Sequence, residues 1–186
     1  VEYEGSWGSV GTLSVSPSGS LLLSSGAYTN IILWDIETGE QVEEHSAPDY
    51  VYAVEMSPNE RFIAAGTRSG GTVVIDRENG DKVSHIPMAT STVSFMDEGD
   101  LLLTGSVSRT DIWDWRAAER ELSFDPELVE PMDLAVTPDG RRLFVSTKTG
   151  DIHVWNARSL RMQTTLRGHD QIDVRGEQRD QIGRAS

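Results

Sequence analysis

Cysteine is absent from the 186 residues, which excludes a disulfide scaffold and any cysteine-ligated metal centre. Long apolar runs are missing too. No stretch approaches the roughly 20 residues that a membrane-crossing helix needs, and neither end reads as a signal peptide. Basic residues are scarce beside acidic ones, 16 against 30, for a net charge of -14. That balance argues against DNA or an anionic membrane as the main partner. Nor does any segment carry the period of a long amphipathic helix. What is present is enough apolar material, 37%, for a packed core rather than disorder. The length allows one ordinary domain. A first residue of Val1 raises the expectation of a processed or excised piece.

The chain repeats itself. Four turn signals recur at Ser16-Pro17-Ser18-Gly19, Ser57-Pro58-Asn59-Glu60, Asp97-Glu98-Gly99-Asp100 and Thr137-Pro138-Asp139-Gly140. From Pro17 to Pro58 to Asp97 to Pro138 the steps are 41, 39 and 41 residues. A second anchor follows each turn at Trp34, Ile75, Trp113 and Trp155, with steps of 41, 38 and 42. Two independent anchors on one period identify an internal repeat. Short strand signals lie between them, such as Leu21-Leu22-Leu23, Phe62-Ile63-Ala64-Ala65 and Val73-Val74-Ile75. Each repeat begins with an alternating strand and ends with a weaker, more polar one. That gradient predicts a first strand packed inside and a fourth strand nearer water.

These residues resemble the WD-repeat beta-propeller family over roughly residues 5–169. Trp34-Asp35 and Trp113-Asp114 match its signature pair; Ile75-Asp76 and Trp155-Asn156 each depart from it by one residue. Gly168-His169 resembles the pair that opens a repeat. The resemblance implies an all-β fold of four four-stranded antiparallel blades, expected to be half of a larger ring. Approximate blades are 6–45, 46–84, 85–126 and 127–168, followed by a tail or incomplete repeat over 170–186. It also implies structural roles for Trp34, Asp35, Ile75, Asp76, Trp113, Asp114, Trp155, Asn156 and His169. In ideal blades a His, a Ser or Thr, an Asp and the Trp form one hydrogen-bonded network. Here the Asp site before the third strand is Tyr28, Ser69 or Thr149, so incomplete networks are expected. Trp115 has two readings: exposure would suit binding, and burial would suit packing on a fourth strand.

The resemblance further implies that blade-joining loops and loops between second and third strands share one face. On it the expected protein-binding residues are Trp7, Tyr28, Asp49, Tyr50, Arg68, Arg109 and Lys148, with Tyr50 the aromatic anchor and Arg68 and Arg109 the charged ones. Residues 1–60 hold ten acidic residues and no Lys or Arg, which suggests a basic protein partner.

Catalytic chemistry does not assemble from the spacing. Asp111, Asp114 and Asp133 occupy different places in the repeat, and His45, His85, His153 and His169 follow repeat spacing rather than ligand spacing. His153 reads as a surface residue. Gly66 and Gly70-Gly71 precede a strand, not the helix of a phosphate-binding loop. No catalytic residue, metal site or cofactor is expected. The leading expectation is non-catalytic protein binding or scaffolding, in the cytoplasm or nucleus. The alternatives are an enzyme with a site spanning blades, or a structural half that completes a larger propeller. Three outcomes stand open: a four-blade segment of a longer chain, two halves paired into an eight-blade ring, or a closed four-blade ring. Four blades must each turn about 90° to close a ring and eight only about 45°, which favours an assembled larger propeller over the closed four-blade ring.

Overall fold

Hydroxyl-bearing turns and β-branched or leucine-rich runs set where each strand begins and ends. The computed structural model describes residues 9–26, 29–106, 109–124, 131–137, 139–147 and 149–167, with only the backbone described for 131–133. Blade 1 comprises β1 (Val10–Val15), β2 (Leu21–Gly26), β3 (Asn30–Asp35) and β4 (Gln41–Ser46). Blade 2 comprises β5 (Val51–Met56), β6 (Phe62–Thr67), β7 (Thr72–Asp76) and β8 (Lys82–Ile86). Blade 3 comprises β9 (Thr92–Met96), β10 (Leu101–Ser106), β11 (Arg109–Asp114) and β12 (Glu119–Phe124). Blade 4 comprises β13 (Pro131–Val136), β14 (Arg142–Thr147), β15 (Ile152–Asn156) and β16 (Arg161–Leu166). Each blade is a separate four-stranded antiparallel meander in sequence order.

The turn between first and second strands is closed in the same way three times. The hydroxyls of Ser16, Ser57 and Thr137 accept the amides of Leu21, Phe62 and Arg142 at 3.0, 2.9 and 3.1 Å. Blade 3 has Met96 at that position and makes another turn. Asp97, Glu98 and Gly99 all take positive φ, at 47°, 60° and 99°, and the Gly99 carbonyl accepts the Trp115 indole N–H at 2.9 Å. A Cβ on Gly99 would lie 3.2 Å from Pro58 Cδ, so this turn fits closely against that of blade 2.

First strands sit inside: β1 lies beside β5, and β5 beside β9. Fourth strands β4, β8, β12 and β16 are mostly exposed, as their polar sequences predict. Blades pack face to face. Leu23, Ile31 and Leu33 of blade 1 pack with Val54, Met56, Ile63 and Ile75 of blade 2. Ala64 and Val74 pack with Val93, Phe95 and Leu102 of blade 3. Leu103 and Ile112 pack with Leu143 and Val145 of blade 4.

The arc is open at blade 1. Val51, Val54 and Met56 on β5 are 2%, 6% and 3% exposed because blade 1 covers them. Their counterparts on β1, Val10, Leu13 and Val15, are 51%, 61% and 57% exposed. The same kind of surface is therefore buried in one repeat and uncovered in another. The four blades form a partial propeller, in keeping with the expected all-β architecture.

The third-strand anchors show what each blade does with its indole. Trp34 Nε1 donates to Ser24 Oγ at 2.7 Å, and Trp113 Nε1 donates to Thr104 Oγ1 at 2.9 Å. In blade 2 the pair is apolar, Ile75 with Ala65, and needs no acceptor. Blade 4 keeps the indole of Trp155 but has Val145 at the acceptor position, and Trp155 Nε1 is buried without a partner among the described residues. A hydroxyl at position 145 repairs this. Val145→Thr is expected to raise stability by about 1 kcal/mol, read as a higher denaturant midpoint with an unchanged slope. Its own proton has an acceptor to follow: Thr104 Oγ1 donates to the Asp111 carbonyl at 3.4 Å, and His153 stands opposite Val145 as Asp111 stands opposite Thr104.

Candidate protein-binding site

Two loops of blade 2 converge: the connector leading into β5 and the β6–β7 loop. Asp49 ties them together. One of its carboxylate oxygens accepts the Tyr50 amide at 2.7 Å; the other accepts the Ser69 amide at 2.9 Å and the Ser69 hydroxyl. The Ser69 hydroxyl, then the Tyr50 amide, hold the Asp49 carboxyl below the usual carboxylate range. The Arg68 amide donates to the Tyr50 carbonyl at 2.9 Å. Its guanidinium lies 4.6 Å above the Tyr50 ring and 3.9 Å from Asp49 Oδ1. Gly70 has no room to be larger, since a Cβ there would sit 3.0 Å from both Pro48 and Asp49. The result is an exposed aromatic–guanidinium stack on a fixed backbone. Such a stack has amphipathic area and little freedom left to lose on contact.

Of the expected binding residues, Asp49, Tyr50 and Arg68 therefore come together. Arg109 is held within its own blade, its Nε 2.6 Å from the fully buried Asp111 carboxylate. Trp7, Tyr28 and Lys148 lie outside the described residues, as does His169. The residue after each anchor caps the turn between third and fourth strands. Asp35 accepts the Thr38 amide at 2.8 Å and Asp76 the Glu78 amide at 3.0 Å. Asp114 accepts the amides of Arg116 and Ala117 at 3.0 and 3.1 Å, and Asn156 that of Ser159 at 2.8 Å. Asp76 also pairs with Arg61 at 2.8 Å, which keeps its carboxyl low.

Two single-residue expectations change. Trp115 is buried but is not on a fourth strand: it occupies the turn after β11, between the rings of Phe62 and Phe95 at 5.0 and 6.2 Å. His153 is half-buried, with Nδ1 shielded and unpaired among the described residues, rather than a surface residue.

At the opposite end of the blades, the first strands of all four surround a pocket of about 420 Å³. Glu55 lines it. Its carboxylate oxygens accept the Ser94 hydroxyl and the Phe95 amide, each at 3.2 Å. Burial outweighs these bonds and pushes its pKa up to about 7. Sequence reasoning passed over this residue because it placed function on the other face. The available signal was register: Ser14, Glu55, Ser94 and Ala135 occupy matching pair positions on the four first strands, and only one is charged.

The raised pKa means that folding favours protonated Glu55. Its contribution is complete below the unfolded value near 4.5 and is lost as pH rises towards 7. Glu55→Gln is expected to remove this fall, a difference of up to about 3 kcal/mol between pH 4.5 and 7.5. Denaturant curves of both proteins across that range supply the comparison; parallel pH profiles would reject it.

A family model described as "WD domain, G-beta repeat" matches residues 1–35 and 39–75, the stretch holding blade 1 and most of blade 2. The four-bladed fold and this match make the chain similar to WD-repeat beta-propellers. It is 25% identical over 166 residues to WD repeat-containing protein SL1-17 of Schistosoma mansoni, covering 87% of this chain and 55% of that protein. It is 29% identical over 157 residues to cross-pathway control WD-repeat protein 2 of Flammulina velutipes, covering 84% and 40%. With the guanine nucleotide-binding protein subunit beta of Schizosaccharomyces pombe the identity is 28% over 144 residues, covering 74% and 47%. The chain thus spans about half the length of the curated relatives it matches. Among the described residues no group of three or more His, Asp or Glu could hold a metal ion, and no described helix could cross a membrane. The fold presents loops from a repeat frame, the arrangement of a protein–protein interaction module.

Proposed function

We propose that this WD-repeat chain is a non-catalytic scaffold that grips a protein partner through the Tyr50–Arg68 stack. The single observation behind this reading is the convergence of Asp49, Tyr50, Arg68 and Ser69 into one fixed, exposed cluster. A basic segment is the partner the charge favours: the chain carries -14, and Glu37, Glu40 and Glu44 of blade 1 are exposed. Glu43 is not part of that acidic surface, because Arg77 of blade 2 pairs with it. Self-association is the second part of the proposal. The uncovered face of β1 requires a blade against it, and a second copy supplies blades of the right shape, giving an eight-blade ring. The place of work is the cytoplasm or nucleus, which microscopy of the tagged chain would check.

The test uses a partner recovered with the wild-type chain. Tyr50→Ala and Arg68→Ala are each expected to weaken its binding by roughly tenfold or more, the effect of losing an interface anchor. Both substitutions fall in exposed side chains and leave the core intact. Unchanged affinity in the double variant would reject this face as the binding surface.

A further inference from the structure

Among the described residues, the pocket between the first strands contains one ionisable side chain, Glu55. Glu55 stands opposite Ala64 in its blade, as Ser14 stands opposite Leu23, Ser94 opposite Leu103 and Ala135 opposite Phe144. Three blades place a small residue at this level and one places a carboxyl. Among the described residues no Lys, Arg or His lines the pocket, and no basic side chain pairs with Glu55.

The carboxyl is held but not used up. Two hydrogen bonds reach it, from the Ser94 hydroxyl and the Phe95 amide, while a carboxylate offers about four acceptor positions. Polar and apolar surface share the walls around it: the side chains of Val15, Met56, Phe95 and Val136 supply apolar area, and the hydroxyls of Ser14 and Thr137 lie at the sides. The volume of about 420 Å³ suits a side chain or a small organic ion rather than a folded surface. Glu55 and Ser94 belong to blades 2 and 3, so the polar half of the pocket is formed whatever covers blade 1.

We propose that this pocket binds a cationic alkyl group, an ammonium or guanidinium on an aliphatic stem, with Glu55 as its counter-ion. The apolar side chains take the methylenes and the free acceptor positions take the N–H donors. An anion would meet the carboxyl with no positive group to offset it. A neutral ligand would give Glu55 no counter-charge. The net charge of the chain attracts cations towards the site from a distance.

Binding and protonation oppose each other here. Glu55 titrates at about 7 in the unoccupied protein because burial disfavours its charge, and a bound cation stabilises that charge. Among the described residues, none of those lining the pocket from β1, β9, β13 or the adjoining turns titrates, so the linkage is assigned to Glu55. Affinity should rise about tenfold per pH unit below 7 and level off above it.

Two probes test this on the full chain in its assembled form: n-butylammonium and the peptide acetyl-Gly-Lys-Gly-amide, measured by calorimetry between pH 5.5 and 8.5. Saturable binding with the stated pH dependence is expected, with a loss of tenfold or more in Glu55→Gln. Near-UV circular dichroism confirms that the variant keeps its tryptophan packing. A peptide binding at least tenfold tighter than the amine would support a lysine side chain of a polypeptide as the occupant. Equal affinities would support a free small amine. An independent reading needs no variant: the Glu55 carboxyl carbon, followed by NMR in wild type, should titrate at least one pH unit lower when the pocket is saturated. Absence of saturable binding for both probes at pH 8, binding retained in Glu55→Gln, or an unmoved Glu55 titration would each overturn the proposal.

Discussion

Replacing Trp115 with alanine is expected to cost about 3–5 kcal/mol, the range for deleting a large buried aromatic side chain. Its indole is almost fully buried between blades 2 and 3, against Phe62 and Phe95. Its N–H is the bond that reaches the Gly99 carbonyl, and Arg116 stacks 4.2 Å over the ring. The substitution therefore opens a cavity at a blade interface and releases the strained turn at Asp97–Gly99. Against a total stability of about 5–15 kcal/mol, this is enough to unfold a large fraction of the protein near its working temperature. Thermal and denaturant unfolding followed by circular dichroism provide the measure. Trp115→Phe separates the two contributions. It retains most of the packing and loses the hydrogen bond, so it should cost about 1–3 kcal/mol. A loss under 1 kcal/mol for the alanine variant would contradict this account of the interface.

The second large effect concerns the uncovered face of β1. If a second copy closes the arc, the assembled mass is near twice 20.5 kDa, and Leu13→Asp should return it to one chain. Leu13 gains about 1.5–3 kcal/mol when a facing blade covers it, and an aspartate there brings a charge into the contact without a partner. Self-association should weaken by at least a hundredfold, while the folded chain itself changes little, since Leu13 is exposed within it. Analytical ultracentrifugation across concentration distinguishes the outcomes. A wild-type chain that stays at 20.5 kDa at every concentration would remove self-association from the proposal.

The architecture was legible because repetition turns weak local signals into strong ones. Ser16, Ser57 and Thr137 close the same turn, and Asp35, Asp76, Asp114 and Asn156 cap the same later turn. A single Trp-Asp pair says little; four anchors on one period define a blade. The cluster at Asp49, Tyr50 and Arg68 was legible in part, since loop position placed its members on one face but could not show the stacking. Glu55 was hidden because its significance depends on the neighbouring blade: burial and the contacts from Ser94 and Phe95 arise only when β5 and β9 lie side by side. Trp115 escaped for a similar reason. Asp111-Ile112-Trp113-Asp114-Trp115 fixes no register by itself, and the deciding rings come from residues about 20 and 50 positions away. His153 alternates with apolar neighbours as a surface residue would, but in an arc of stacked sheets both faces of a strand meet protein.

The pairing of each anchor with the residue diagonal to it also constrains how these repeats can be exchanged. Ser24 with Trp34, Thr104 with Trp113 and Ala65 with Ile75 are matched pairs, and each spans the turn between a second and a third strand. A recombination event inside that turn would mate Trp34 with Ala65, stranding an indole donor, or Ile75 with Ser24, stranding a hydroxyl. A crossover between blades would carry both partners together. Heredity in this chain is therefore expected to move whole hairpins, and among the four blades Trp155 with Val145 is the pair that does not match.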